Sequence, residues 1–362
     1  MPAVSADATS NTSRANLTGK RVVVTGGTGS LGQGLVKRLL ADERGVVESV
    51  VVFSRDEAKQ NAMRLEFERR SVATDELAYG DHLRRLRFVI GDVAEENSVR
   101  TAFQNADVVF HAAALKQVPS CEYFPVQAVR TNVLGAETVV RVITEYQLPV
   151  TSVIGISTDK ACKPVNVMGM TKALQERIFI QANIENPTTR FVTARYGNVL
   201  ASRGSVIPLF IEQANRGGPL TLTVPHMTRF LMTLDAAVDT IFAALDGANP
   251  GEIYVPRIPS ARMVDVANAV IDGRPIELVE TGLRPGEKMH EILVSEDEAH
   301  RTVQRDGYLV IKPMLPELAG TMLEEPYGPS EYSSADHVLD ARAVRDLLVA
   351  NGLTSTDSVI SR

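Results

Sequence analysis

The sequence predicts an α/β fold, a doubly wound parallel sheet with a smaller C-terminal region. From residue 20 onward short β-branched runs alternate with helix-length segments, and the runs are continuously apolar, as strands covered on both faces are. A glycine-rich turn joins the first run to the first helical segment. Alternation repeated this often places helices on both sides of a parallel sheet.

The elements follow in order. Strands are expected at 21–25, 49–53, 87–90, 107–110, 152–157 and 190–196, with helices at 31–41, 57–69, 96–104, 126–146 and 168–185. After Tyr196 the regularity gives way to Gly217-Gly218-Pro219, Asn249-Pro250-Gly251 and Arg284-Pro285-Gly286, the loop-rich kind of chain in which binding residues concentrate. A last helix over 341–351 is stopped by Gly352.

Composition narrows the function. The 362 residues carry 38 basic and 44 acidic side chains, a net charge of −6, and 44% apolar residues. That supports a large core and excludes a disordered chain or a disulfide-stapled scaffold. The acidic balance argues against a general nucleic-acid or anionic-membrane binder. No apolar run approaches the roughly 18 residues that span a bilayer. Cys121 and Cys162 sit in no metal-ligand cluster and read as packing thiols, so no metal is expected. The first 19 residues are Ser/Thr/Ala-rich without an apolar h-region and read as a disordered leader, with the cytoplasm as default location.

The first strand enters Thr25-Gly26-Gly27-Thr28-Gly29-Ser30-Leu31-Gly32. Gly26, Gly29 and Gly32 permit a tight turn, close approach to a pyrophosphate and close helix–strand packing, while Thr28, Ser30 and Leu31 stand where free N–H groups and the helix dipole favour phosphate. This strand–turn–helix setting makes the motif a dinucleotide site. The second strand ends in Phe53-Ser54-Arg55-Asp56. An acidic residue there would accept from a ribose 2′-hydroxyl and favour NAD, whereas Ser54 and Arg55 offer donors for a 2′-phosphate. NADP is therefore the expected cofactor, although Asp56, one position late, weakens that choice. Asp92 and Val93 follow the third strand, with the Asp92 carboxylate suited to an adenine amino group. Ala112 and Ala113 follow the fourth and let a cofactor lie close, and His111 reads as structural.

In this order the motifs resemble the extended short-chain dehydrogenase/reductase superfamily. Within it, Phe53 to Glu57, His111 to Pro119 and Ser157 to Ala161 look like the nucleotide-sugar 4,6-dehydratases, above all those acting on UDP-N-acetylglucosamine, over roughly residues 20–352. The resemblance implies a Rossmann-type NADP-binding domain over 20–198. Residues 199–362 would then be mainly substrate-binding, with elements that return to the sheet. It implies a UDP-sugar substrate and a homo-oligomer in which helices 126–146 and 168–185 pair between subunits. The implied reaction passes hydride from C4 of the sugar to NADP+, eliminates water across C5–C6 and returns hydride to C6.

The superfamily's Tyr-x-x-x-Lys stands here as Met168-Gly169-Met170-Thr171-Lys172. A branch of these dehydratases shares this Met together with Thr158-Asp159-Lys160, which makes it a family marker. The resemblance gives Lys160 as the C5 base, its pKa expected to fall through partial burial and the nearby Lys172. It gives Asp159 as the acid for the C6 hydroxyl, Thr158 as a hydrogen-bond donor to the C4 oxygen, and Lys172 as the grip on the nicotinamide ribose. Lys116, Asn198, Arg229 and Arg284 match substrate contacts, the guanidinium groups suiting the UDP phosphates. Length and build resemble the C5-inverting capsule-type branch, while the motifs themselves leave the C5 configuration open. A nucleotide-sugar epimerase, and a catalytically silent NADP-binding protein suggested by Met168, are the alternatives.

Overall fold

The structure, a computed structural model, describes residues 14–73, 84–200, 205–320, 324–328 and 330–353. Six parallel strands form the heart of the sheet: β1 (Arg21–Thr25), β2 (Ser49–Ser54), β3 (Leu86–Ile90), β4 (Val108–His111), β5 (Ser152–Thr158) and β6 (Arg190–Tyr196). Their spatial order is β3-β2-β1-β4-β5-β6. The order reverses between β1 and β4, so the C-terminal ends of those two strands open a crevice, the usual place for a ligand in such a sheet. Beyond β6 the sheet continues with strand Ile253–Pro256, parallel to β6, and then with the antiparallel strands Tyr308–Ile311 and Thr302–Arg305.

Alternation along each strand feeds two cores. Val22 and Val24 of β1 face helices Ser30–Leu40 and Leu234–Gly247, together with Val50, Val52, Ile154 and Phe242. Val23 faces the other side, with Phe53, Val109, Val153 and the helices Glu96–Phe103 and Gly135–Glu145. The side chains on both faces are apolar because helices cover both, as the unbroken apolar runs require. A third core, built from Phe210, Leu220, Val266 and Leu348, belongs to the C-terminal region.

Two expectations are refined. The helix expected at 126–146 runs without a break through Pro125–Ala128, a wide π-helical turn Val129–Leu134, and Gly135–Glu145. The widened turn carries Asn132, whose side chain bonds both the N–H and the C=O of Leu115 at 2.8 and 3.0 Å and Thr171 Oγ1 at 2.9 Å. Such turns recur where a helix must present a side chain at an irregular angle. The leader, too, is ordered where it is described. Residues 1–13 lie outside the described residues, but Leu17 is 2% exposed and packs with Leu35, Val47 and Phe242. Backbone bonds from Leu17 to Arg44 and from Gly19 to Val46, and one from Ala15 to the Asp246 carboxylate, tie this segment down.

That anchoring has a measurable cost when removed. Leu17→Ala is expected to lower stability by about 2–5 kcal/mol, as Leu-to-Ala changes in a closed core do. Denaturant unfolding checks it, and a change within about 0.5 kcal/mol, the surface range, would show that the segment merely lies on the domain.

Candidate active site

The crevice at the β1–β4 reversal is a cavity of about 910 Å³, and nearly every site residue read from the sequence lines it. At one end Gly26 has φ +64°, and a Cβ there would stand 2.8 Å from the backbone of Ala112 and Ala113. Only glycine allows the first turn to lie against the end of β4 in this way. The helix Ser30–Leu40 begins at Gly29 with no side-chain cap, leaving its first N–H groups to the cavity. An uncapped helix start behind a glycine turn fits a pyrophosphate.

The far wall of this half carries two cations, each paired with a carboxylate. Ser54, Arg55, Asp56, Lys59 and Asp92 line it. Arg55 is half exposed and 3.3 Å from Asp92 Oδ2. Asp56 is engaged by Lys59, which pairs with it at 2.6 Å and donates its backbone N–H to it; that side-chain bond first, then the backbone one, holds the Asp56 carboxyl below the usual range. Gln60, absent from the sequence reading, fixes the end of β2 by donating to Ser54 Oγ and O and to Val89 O. His111 lies outside the cavity lining. Its Nδ1 is 3.1 Å from Thr25 Oγ1, which accepts from Ala113 N–H, and burial followed by the Lys172 charge pushes its pKa down to about 3.

The other half is built at the end of β5. Thr158 leads into the short turn Asp159–Ala161, and its hydroxyl donates to Asp159 Oδ1 at 2.9 Å. Lys160 Nζ donates to the same oxygen at 3.0 Å. Asp159 is fully buried, and its Oδ2 has no hydrogen-bond partner. Helix Val167–Glu185 starts at Asn166, which accepts from Gly169 N–H. A Cβ on Gly169 would stand 2.1 Å from Lys160 O, so the glycine lets the helix press directly on the Asp159–Ala161 turn. Met168 and Lys172 face the cavity from this helix, one turn apart as their spacing requires. Across the cavity stands Asn198, whose buried Oδ1 also has no partner.

The electrostatics differ from the expectation for Lys160. Burial works to lower its pKa, but the carboxylates of Asp159 and Glu291 outweigh burial and hold it above the ordinary lysine value. Glu291, which the sequence reading missed, is 2% exposed and its Oε1 lies 3.1 Å from Lys160 Nζ. Burial, with the Glu291 charge, raises the Asp159 carboxyl against the pull of Lys160. Burial does depress Lys288, and Lys172 to about 7; Lys172 donates to Gln175 at 2.7 Å and has only Glu176 raising it.

Two predicted clamps are not brought to the cavity. Arg229 is buried, donates to the carbonyls of Thr228 and Met289, and lies 3.8 Å from Glu291. Arg284 is exposed on a loop whose Gly286 carbonyl accepts from Asn166, outside the lining. Lys116 and Asn198 do line the cavity.

Beneath the turn lies a buried ionic network. Arg195 donates to Glu176 at 2.9 and 2.7 Å, to Glu298 at 2.8 and 2.9 Å, and to Leu293 O at 2.9 Å. Ser157, next to Thr158, donates to Glu176 at 2.5 Å.

Known proteins share this build. The family described as polysaccharide biosynthesis protein matches residues 22–313. A UDP-glucose 4-epimerase of Rickettsia massiliae is 43% identical over 297 residues, covering 80% of this chain and 82% of that protein. The X-ray structure of Pen from Bacillus thuringiensis is 31% identical with a TM-score of 0.83, covering 93% of this chain and 99% of the other. A dTDP-glucose 4,6-dehydratase from Streptomyces venezuelae, determined with NAD bound, shares the fold at TM-score 0.63 and 21% identity over 74% of this chain and 86% of its own. Among the described residues no helix is long and apolar enough to cross a membrane. A match over most of the parallel sheet and the cavity it carries settles the affiliation: the chain belongs to the polysaccharide biosynthesis protein family, on the extended short-chain dehydrogenase fold.

Proposed function

We propose that this protein is an NADP-dependent UDP-N-acetylglucosamine 4,6-dehydratase that inverts C5. One observation carries the reading. The Asp159–Lys160 pair, with the unpartnered Asp159 Oδ2, lines the same cavity as the uncapped glycine turn. A paired acid and base beside a dinucleotide cradle suits elimination next to a ketone. The cavity residues named above would hold NADP, with Arg55 and Lys59 toward a 2′-phosphate and Lys172 toward the nicotinamide ribose.

A bound nicotinamide supplies hydride uptake from C4 and its return to C6. Met168 takes no proton, so Lys172, one turn on and with a pKa of about 7, receives the proton of the C4 hydroxyl. Thr158 stands ready to bond the C4 oxygen. Elimination then runs as a relay. Asp159 gives its Oδ2 proton to the departing C6 hydroxyl, takes a proton on Oδ1 from Lys160, and Lys160 takes the C5 proton in exchange. Both groups keep their proton count, the Asp159 proton now on Oδ1 and carried back to Oδ2 by a turn of the carboxyl, and C5 takes its new proton from solvent. Burial and the Glu291 charge favour a proton on Asp159, and against burial the Glu291 charge favours one on Lys160. Lys116 and Asn198 are assigned to the sugar nucleotide; Arg284, on a loop, acts on it only if that loop shifts toward it, and Arg229, on the strand Thr228–Met232, is given no contact with it.

NMR and mass spectrometry of the product from UDP-N-acetylglucosamine in deuterated water test this reading. The expected product is lighter by one water, carries deuterium at C5 and has inverted configuration there. A product of unchanged mass epimerised at C4 would favour the epimerase reading, which the similarity to a UDP-glucose 4-epimerase supports; binding without turnover would support a silent protein.

The cofactor assignment has its own check. Arg55→Ala should erode the preference for NADP over NAD by about 1.5–3 kcal/mol, the range for hydrogen bonds to charged groups. Fluorescence titration reads both affinities, and equal affinities in the parent protein would refute the assignment.

We also infer a homo-oligomer. Tyr123, Phe124, Val126, Met170 and Leu174 are 49% to 82% exposed on neighbouring helices, an apolar surface of the kind a twofold contact buries. Light scattering should return a multiple of 39.3 kDa, and a monomer at micromolar concentration would remove the inference.

A further inference from the structure

The side chain of Glu291 is the one strongly buried charge at the reaction centre to which neither the sequence motifs nor the family resemblance gives a role. Its place is built rather than incidental. Its backbone N–H donates to Ser334 Oγ at 2.9 Å, and its carbonyl accepts from Ser334 N–H at 2.8 Å. Ser334 Oγ is in turn 2.7 Å from Thr228 Oγ1, which meets His290 Nδ1 at 2.7 Å. Three cations face the carboxylate: Lys160 at 3.1 Å from the Asp159 turn, Arg229 at 3.8 Å from strand Thr228–Met232, and Lys288 at 4.0 Å from its own segment. Its Oε2 has no hydrogen-bond partner.

We propose that Glu291 is a positioning residue of the reaction centre, a second anchor that holds the Lys160 ammonium on Asp159 Oδ1 and leaves Asp159 Oδ2 as the oxygen that delivers a proton. Two acceptors are shared by one Nζ: Asp159 Oδ1 at 3.0 Å and Glu291 Oε1 at 3.1 Å. An ammonium bonded to two buried carboxylates has little freedom to turn away, so its contact with Asp159 persists while sugar enters and leaves. The second carboxylate also sets charge. With Arg229 and Lys288 behind it, Glu291 stays ionised; its negative charge favours the proton on both Asp159 and Lys160. Removing that charge makes both groups release protons more readily, and since the relay starts with both protonated, the high-pH limb of the profile moves to lower pH while the low-pH limb, set by Lys172, stays.

The inference rests on the dehydratase reading for its chemistry, and the experiment separates the two. Glu291→Gln keeps an oxygen acceptor and removes the charge; Glu291→Asp keeps the charge and withdraws it by one methylene. The first readout needs no turnover. Arylation of Lys160 by fluorodinitrobenzene, followed by mass spectrometry against pH, should run several-fold faster at pH 8 in E291Q than in the parent. The second is the pH dependence of kcat. In E291Q the high-pH limb should move to lower pH with kcat reduced, while in E291D it stays in place at lower height and NADP affinity holds in both. Unchanged Lys160 reactivity and an unmoved high-pH limb in E291Q would overturn the proposal. Should E291Q fail to bind NADP, a displaced high-pH limb in E291D would overturn it instead. Faster arylation in E291Q with no dehydration by the parent would sustain Glu291 and discard the dehydratase reading.

Discussion

Arg195 holds the reaction centre to its frame. The guanidinium is buried on β6, and its five N–H groups reach in two directions. Through Glu176 it meets Ser157, the residue before Thr158; through Glu298 and Leu293 O it meets the segment that begins two residues before Leu293, at Glu291. The distance between the Asp159 turn and Glu291 is therefore set by one planar cation. Burying such a charge is tolerable only because every partner is present, and taking away one member of such a group typically costs about 3–5 kcal/mol. Arg301, 3.6 Å from Glu298, brings a second cation to the two carboxylates.

The cavity then contrasts two lysines in one enclosure. Both lose hydration. Lys160 regains it from two carboxylates within hydrogen-bond distance and stays charged. Lys172 has the neutral Gln175 as its contact and is left with a pKa of about 7. The same residue type thus offers a fixed ammonium at one point and a proton acceptor at another, and the difference is made by neighbours rather than by depth. Met168 fits this division, since packed against Cys121 and Ala128 it adds shape without another titrating group.

What the sequence made legible was mostly local. The glycine turn, the β1–β6 runs and the Thr158-Asp159-Lys160 strand end are short-range patterns, and they stand in one cavity because a parallel sheet brings strand ends together. What stayed hidden depends on distant partners. Glu291 meets Lys160 across more than a hundred residues, Asn132 meets Leu115 through a widened turn, and Gln60 crosses from one strand end to another. Arg229 and Arg284 show the opposite side: a motif match names a residue but not where the fold puts it, and the Arg229 guanidinium meets the carbonyls of Thr228 and Met289 while Arg284 lies outside the cavity lining. The Lys160 pKa was misjudged for the same reason, its second carboxylate being invisible in sequence. Ser/Thr/Ala composition likewise gave no sign that Leu17 fills a core position.

The C-terminal third contributes three strands to the nine-stranded sheet, joined to β6 by Ile253–Pro256. Among the described residues the C-terminal third is thus linked to the parallel sheet edge to edge by backbone hydrogen bonds, and these strands cannot swing as a rigid body without tearing a ladder. The sheet is an unyielding floor, and the entry and exit of a ligand are governed by the segments of chain carried on it.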